Sequence, residues 1–434
     1  MGWTDPPGGR SGVTRVPARL LRLLPGRGGM TGGRWALLAL TLSLVTGAGR
    51  SLIAARLIGA REVGAMGIAL LVLAAADALT AGAAETALVS HPGDAEADLD
   101  PAFTLRAAQG VLVAGLLWAA APAAARFFEA PGTVPLVRAL ALVPLLRGLA
   151  NPAAVLLVRR VEFRRLFWWG LPEAVAGTAI VVAVGLLRRD AWALVASMIG
   201  SQAVSTAVSY AMAPRVPRLT LGGPGFARLL HYGRWMQGTR VLMFAGLYLD
   251  NLLVGKLLGA SALGIYQIAF RIGEIPVVTV GRAAAQVSLP VLTRLRRRPG
   301  RLRSEYLGTL RLVLAASAAF AAGLALGLRP VVARLLGPEW LPAVPVAQIL
   351  AAAMVLRVSM MLATQLFYAV GRPRLVFAAN AVRVAVLALS ILPLLRLLGA
   401  SGVALSVLLS CLAGALVCAA GTRVLLGAGS GGLP

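Results

Sequence analysis

Residues 248–276 read YLDNLLVGKLLGASALGIYQIAFRIGEIP. The stretch is apolar on both sides of a Lys-Leu-Leu-Gly-Ala-Ser elbow, yet it carries Asp250, Asn251, Arg271 and Glu274 inside its hydrophobic runs. Two hundred residues upstream, RLIGAREVGAMGIA (56–69) aligns with KLLGASALGIYQIA (256–269). Six of the fourteen positions are identical, among them Gly59/Gly259, Ala60/Ala260 and Gly64/Gly264. A chain this rich in Ala, Leu and Gly gives about two identities by chance, so the match reads as an internal repeat.

Composition sets the class around this repeat. Of 434 residues, 59% are hydrophobic and 13% charged, outside the range of soluble domains and typical of a multi-pass membrane protein. A spanning helix needs about 20 apolar residues. Spans are expected at 35–57, 63–90, 104–125, 133–157, 166–187, 191–213, 236–256, 263–290, 308–328, 343–369, 376–395 and 402–425. The expected fold is all-α, with about twelve transmembrane helices in two six-helix lobes around a central cavity. An even number of helices separates the repeated segments, so the lobes run parallel, related by an axis along the membrane normal.

The expected organisation is a disordered basic tail (1–33), an N-terminal lobe (34–213), a linker (214–234), a C-terminal lobe (235–426) and a short tail (427–434). Residues 1–33 are rich in Gly, Pro and Arg and lack a signal-peptide core. Met30 stands just before the first apolar run and is an alternative start.

The net charge of +26 comes almost wholly from arginine, with Lys256 the sole lysine. Arg159, Arg160, Arg164 and Arg165, and the run Arg294, Arg296, Arg297, Arg298, Arg301 and Arg303, fall in connectors on one side of the expected topology. Connectors on the other side hold far fewer, including Arg61, Arg126, Arg188, Arg189, Arg329, Arg334 and Arg396. The positive-inside rule therefore places both termini in the cytoplasm. The acidic connector 91–100 adds no support to that orientation. Nucleic-acid binding has no soluble domain to carry it.

Charges within lipid cost about 2.5–3.5 kcal/mol on insertion scales, so intramembrane ionisable groups are functional candidates that face a cavity. Arg50, Arg147, Arg271 and Arg357 suit an anionic cargo, because guanidinium binds phosphate with paired donors and stays charged when buried. Asp77, Glu85, Asp250 and Glu274 suit ion or proton coupling. Arg50 and Asp250 are positional counterparts under the 200-residue offset, which suggests a bridge between lobes. Arg271 and Glu274, three apart, can instead pair locally. Pro144, Pro152, Pro172, Pro276, Pro290 and Pro393 lie in or beside spans as possible kinks.

No catalytic or cofactor motif is present. The lysine is followed by Leu257, so no GxxxxGK[ST] occurs, and neither GxSxG nor HExxH appears. Two Cys and two His make no recognisable metal site, and Cys411 and Cys418 read as packing residues.

Several segments together resemble the polysaccharide-type flippases of the multidrug/oligosaccharidyl-lipid/polysaccharide exporter superfamily. They are LLHYGRWMQGTRVL (229–242), LDNLLVGKLLGASALGIYQIAFRIGEIP (249–276), LLGPEWLPAVPVAQILA (335–351), LFYAVGRPRLVF (366–377) and GASGVALSVLLS (399–410). RLIGAREVGAMGIALLVL (56–73) and AWALVASMIGSQAVS (191–205) fit the first half. The resemblance implies two six-helix lobes, a central cavity often containing arginine, and a polyprenyl-pyrophosphate-linked oligosaccharide as cargo. It implies flipping by alternating access, driven by ion gradients rather than ATP, without a cofactor. The family has no invariant catalytic signature to carry over. Partners would be the lipid-linked glycan, the bilayer and the glycan assembly machinery, with the transporter itself a monomer. Rival readings are a drug or peptidoglycan-precursor exporter on the same fold, a membrane-embedded glycan polymerase or ligase, and a non-transporting scaffold.

Overall fold

A computed structural model describes residues 27–80, 99–152, 162–212, 216–220, 244 and 246–427. Among these the chain is helical, with no strand. The helices are α1 (Arg27–Thr80), α2 (Leu99–Phe127), α3 (Thr133–Leu140), α4 (Leu142–Leu149), α5 (Phe163–Arg188), α6 (Trp192–Ala211) and α7 (246–257). They continue with α8 (Gly259–Leu295), α9 (Pro299–Leu335), a short 3₁₀ turn (Pro338–Trp340), α10 (Ala343–Ala369) and α11 (Pro373–Gly427). Seven helices among the described residues are long and apolar enough to cross a membrane. The chain is a multi-pass membrane protein.

Two of the long helices are each two expected spans joined by an elbow. In α1 the break is Gly59 (φ 79°), and in α11 it is Gly399 (φ 59°). With those elbows counted, each of the twelve expected spans has a helical counterpart among the described residues. The fourth is broken into α3 and α4, because Pro144 has no N–H to give the carbonyl of Leu140. Pro122, Pro172, Pro330 and Pro393 lie inside continuous helices, so the sharp bends fall at glycine instead. Helix α1 begins at Arg27, within the stretch expected to be a tail. Residues 1–26, most of the linker, and the last seven residues lie outside the described residues.

The repeat is written into the backbone. Positive-φ residues occur in matching places of the two halves: Gly59 and Gly259 (φ 79° and 85°) at the first elbows, and Glu129 and Gly337 (54° and 108°) after α2 and α9. Arg189 and Gly399 (52° and 59°) form a third such pair, before the sixth helical segment of each half. A left-handed residue ends a helix and redirects the chain, so at these three places equivalent helices end in equivalent ways.

The halves meet where α1 packs on α8. A Cβ at Gly64 would overlap the carbonyl of Ala260, and one at Gly264 would overlap the carbonyl of Ala60. The contact is reciprocal, as a two-fold relation between parallel repeats requires. Within the C-terminal half, α10 packs on α8, α9 and α11. Within the N-terminal half, α5 packs on α1 and α6, and α2 on α4. One buried core cluster crosses the seam, joining Ala54, Ala55 and Ile58 with Phe128, Val254 and Leu263.

Candidate functional site

Beside the Gly64/Gly264 crossing, α1 and α8 line a cavity together with α4, α5 and α6 on one side and α7 and α10 on the other. Two adjoining chambers, about 360 and 480 Å³, share Leu70, Gln267 and Arg271 in their walls. The first holds Arg50 and Glu173 with Ser197, Ser201 and Gln202. The second holds Asp77, Tyr248, Asn251, Glu274 and Arg357. Helical spacing explains the shared wall, since Gln267 and Arg271 are four apart and lie on one face of α8. The cavity lies inside the helix bundle, the expected place for charges that lipid would reject.

Three of the four arginines singled out from sequence therefore line these adjoining chambers. Arg50 is additionally anchored by donating from Nε to the carbonyl of Thr46 at 3.3 Å. Its guanidinium lies over Gly177 on α5, where any side chain would collide with it. Arg271 is exposed to the cavity and lines both chambers. Arg147 stands apart: its Nη2 donates to both oxygens of Asp77, at 2.7 and 2.8 Å, which joins α4 to α1. That ion pair gives the second chamber a carboxylate already bound to a cation.

The four carboxylates also divide. Asp77 and Glu274 line the second chamber. Glu85 lies outside the described residues. Asp250 is buried, with only 5% of its surface exposed. Its Oδ2 accepts from the Tyr266 hydroxyl at 2.8 Å, and its Oδ1 accepts from the backbone and side-chain amides of Asn251 at 2.8 and 2.9 Å. Those donors take the place of the Arg50 bridge that the repeat suggested. Packing explains the difference, because Arg50 faces α5 and the cavity while Asp250 faces Tyr266 inside the C-terminal half.

Sequence reasoning missed the neutral polar wall. Gln267 donates to Asn251 Oδ1 at 3.3 Å, and it fills space left open by Gly67, where an added Cβ would come within 2.5 Å of its Oε1. Ser197 donates to the carbonyl of Gly177 at 2.7 Å. Uncharged polar groups cost less in an apolar span than charges do, so hydropathy does not flag them. Their signal is the Ser-x-x-x-Ser-Gln spacing of 197–202, which places them on one helix face.

Among the described residues no cluster of three or more His, Cys, Asp or Glu could hold a metal ion. The arrangement can bind an extended anion between guanidinium groups and hydrogen-bond a polyhydroxylated group along the amide and hydroxyl wall.

The chain is 26% identical to the teichuronic acid biosynthesis protein TuaB of Bacillus subtilis over 67% of its own length and 61% of that protein's. It is 28% identical to the succinoglycan biosynthesis transport protein ExoT of Rhizobium meliloti, over 69% of its own length and 60% of that protein's. The matches thus span about three fifths of these relatives. The solved structure of the lipid II flippase MurJ in an inward closed conformation superposes with a TM-score of 0.71 at 14% identity, covering 89% of this chain and 86% of that one. That likeness shows the fold. A model of a family described as polysaccharide biosynthesis protein matches residues 53–345, two thirds of the chain, and the chain belongs to that family.

Proposed function

We propose that this chain moves a polyprenyl-pyrophosphate-linked oligosaccharide across the bacterial cytoplasmic membrane by alternating access. The observation that carries the reading is the pair of adjoining chambers beside α1 and α8, one lined by Arg50, the other by Arg357, with Arg271 in the wall of both. A pyrophosphate is the membrane-borne group whose charge and geometry several guanidiniums satisfy together. The names of TuaB and ExoT, which speak of teichuronic acid biosynthesis and of succinoglycan biosynthesis transport, agree with it.

The lobes, 34–213 and 235–426, rock about their seam with both termini in the cytoplasm. Arg50, Arg271 and Arg357 contact the cargo's anionic group, and Arg147 joins them when Asp77 releases it. Asp77, Asp250 and Glu274, with Glu85, are the coupling groups. The transporter acts as a monomer beside the glycan assembly machinery, with neither cofactor nor covalent step.

Purified protein in liposomes should translocate a short polyprenyl-pyrophosphate glycan, read by periplasm-side enzymatic modification of the sugar. Arg271→Ala should slow the rate while the protein keeps its melting temperature. Equal rates in liposomes with and without the protein would end the proposal.

A further inference from the structure

The elbow end of the molecule carries two contacts that join the halves in the same way. On one side, Lys256 at the end of α7 donates from Nζ to Glu129 Oε1 at 2.7 Å, just past the end of α2. On the other, Arg56 before the Gly59 elbow donates from Nη1 to the carbonyl of Leu336 at 3.2 Å, just past the end of α9. Arg56 and Lys256 are partners under the 200-residue offset, and α2 and α9 are the equivalent helices of their halves. Each half thus places a cation on the C-terminal end of the other half's third helix.

The surroundings follow the same relation. Phe128 packs against Gly255, whose missing side chain leaves room for it; a Cβ there would stand 3.1 Å from the ring. Opposite, the Glu339 carboxylate lies over Gly59, 3.6 Å from where a Cβ would be. The Lys256 ammonium also sits 5.4 Å from the centre of the Phe127 ring. Free carbonyls and the helix dipole make the end of a helix attractive to a cation. Carboxylate–ammonium pairs this exposed are weak, so they hold a closed end without preventing its opening.

Position decides what such contacts do. The Gly64/Gly264 crossing lies one turn of helix past the elbows, and beyond it the cavity reaches Asp77 and Glu274. Asp77 is thirteen residues past Gly64, about 20 Å along a helix. The two contacts thus join the halves at the elbow end.

We infer that Lys256–Glu129 and Arg56–Leu336 form a paired latch that holds the elbow end shut in this state and must part when the cavity turns to face that end. The inference rests on the alternating-access reading. Arg56 and Lys256 are then positioning residues of the transport cycle, since neither lines the cavity.

The test is distance measurement by pulsed electron paramagnetic resonance, which needs no cargo. Spin labels go on cysteines replacing Leu187 and Leu397, exposed residues beside the turns at Arg189 and Gly399, in protein whose Cys411 and Cys418 are alanine. Without further change a single short separation is expected. Arg56→Ala with Lys256→Ala should raise the population at longer separation about three- to tenfold, each single change giving an intermediate rise. Exchanging the charges, Glu129→Lys with Lys256→Glu, should return the distribution toward the starting one relative to Lys256→Glu alone. If the double alanine protein fails to fold, Lys256→Met and Glu129→Gln make the same comparison with less disturbance. Unchanged separations in folded variants would overturn the latch and leave the transport reading standing. Lengthened separations in a protein that flips no glycan would support the latch and overturn the transport reading.

Discussion

Gly64 and Gly264 face each other where α1 crosses α8, and each lies on the carbonyl of the alanine four residues before the other. Residues two hundred apart in sequence are thus in contact in space. The pseudo-two-fold axis passes between them, and the elbows at Gly59 and Gly259 are disposed around it.

Gly64→Ala and Gly264→Ala each place a methyl group on backbone that side-chain rotation cannot clear. Overpacking typically costs about 1–3 kcal/mol. Each variant should melt several degrees below the parent in detergent, and the pair together lower still. Gly115→Ala, where a Cβ meets nothing within 4 Å, serves as the control and should hold or raise the melting temperature. Equal melting of all three would mean that the crossing does not bear on stability.

Arg271 borders both chambers, so it is the arginine whose loss should be felt most. A hydrogen bond to a charged group contributes about 1.5–3 kcal/mol. Arg271→Ala should therefore weaken cargo affinity by about 10- to 150-fold. Arg271→Lys should recover part of it, because the charge returns without the paired donors. Transport kinetics against cargo concentration measure both.

Asp250 and Tyr266 separate structure from coupling. Tyr266→Phe deprives a buried carboxylate oxygen of its donor, which costs about 1–3 kcal/mol and should lower the melting temperature. Asp250→Asn keeps the size and an acceptor. If Asp250 couples an ion to transport, this variant stays folded but flips at a rate that no longer responds to the imposed gradient. A gradient response equal to the parent's would remove the role.

Glu129 lies outside the spanning helices, and its carboxyl is held below the usual 4.5, first by the Lys256 hydrogen bond and then by the Lys256 charge. The folded state therefore releases the proton more readily than the unfolded chain. The contribution is present above pH 4.5 and is lost as the pH falls through the lowered folded value. Label separation across the elbow end should lengthen only in that acid range. Glu129→Gln should lengthen it at neutral pH and flatten this part of the response.

Much of this was legible in the chain itself. The Gly-Ala-x-x-x-Gly text at 59–64 and 259–264 announced both the duplication and its parallel sense, because the spans between the copies are even in number. Arg50, Arg271 and Arg357 stood out because an arginine in an apolar run has few tolerable places other than a cavity. The bend in the fourth span was visible in Pro144, and the elbow within α11 falls at Gly399, inside the connector expected between the last two spans.

The sequence by itself determined the solvent of each segment, the number of crossings and the duplication, because these depend on apolar length and on a pattern carried along the chain. Tertiary structure alone decided the partners. It gave Arg147 to Asp77 across 70 residues, Lys256 to Glu129 across 127 and Arg56 to Leu336 across 280, and it buried Asp250 under Tyr266 rather than beside Arg50. A charge in an apolar run reports that it must have a partner, while the choice among many is made by which helices pack and how they are turned. At 248–276 the elbow was readable in advance. That its lysine holds the other half shut was not.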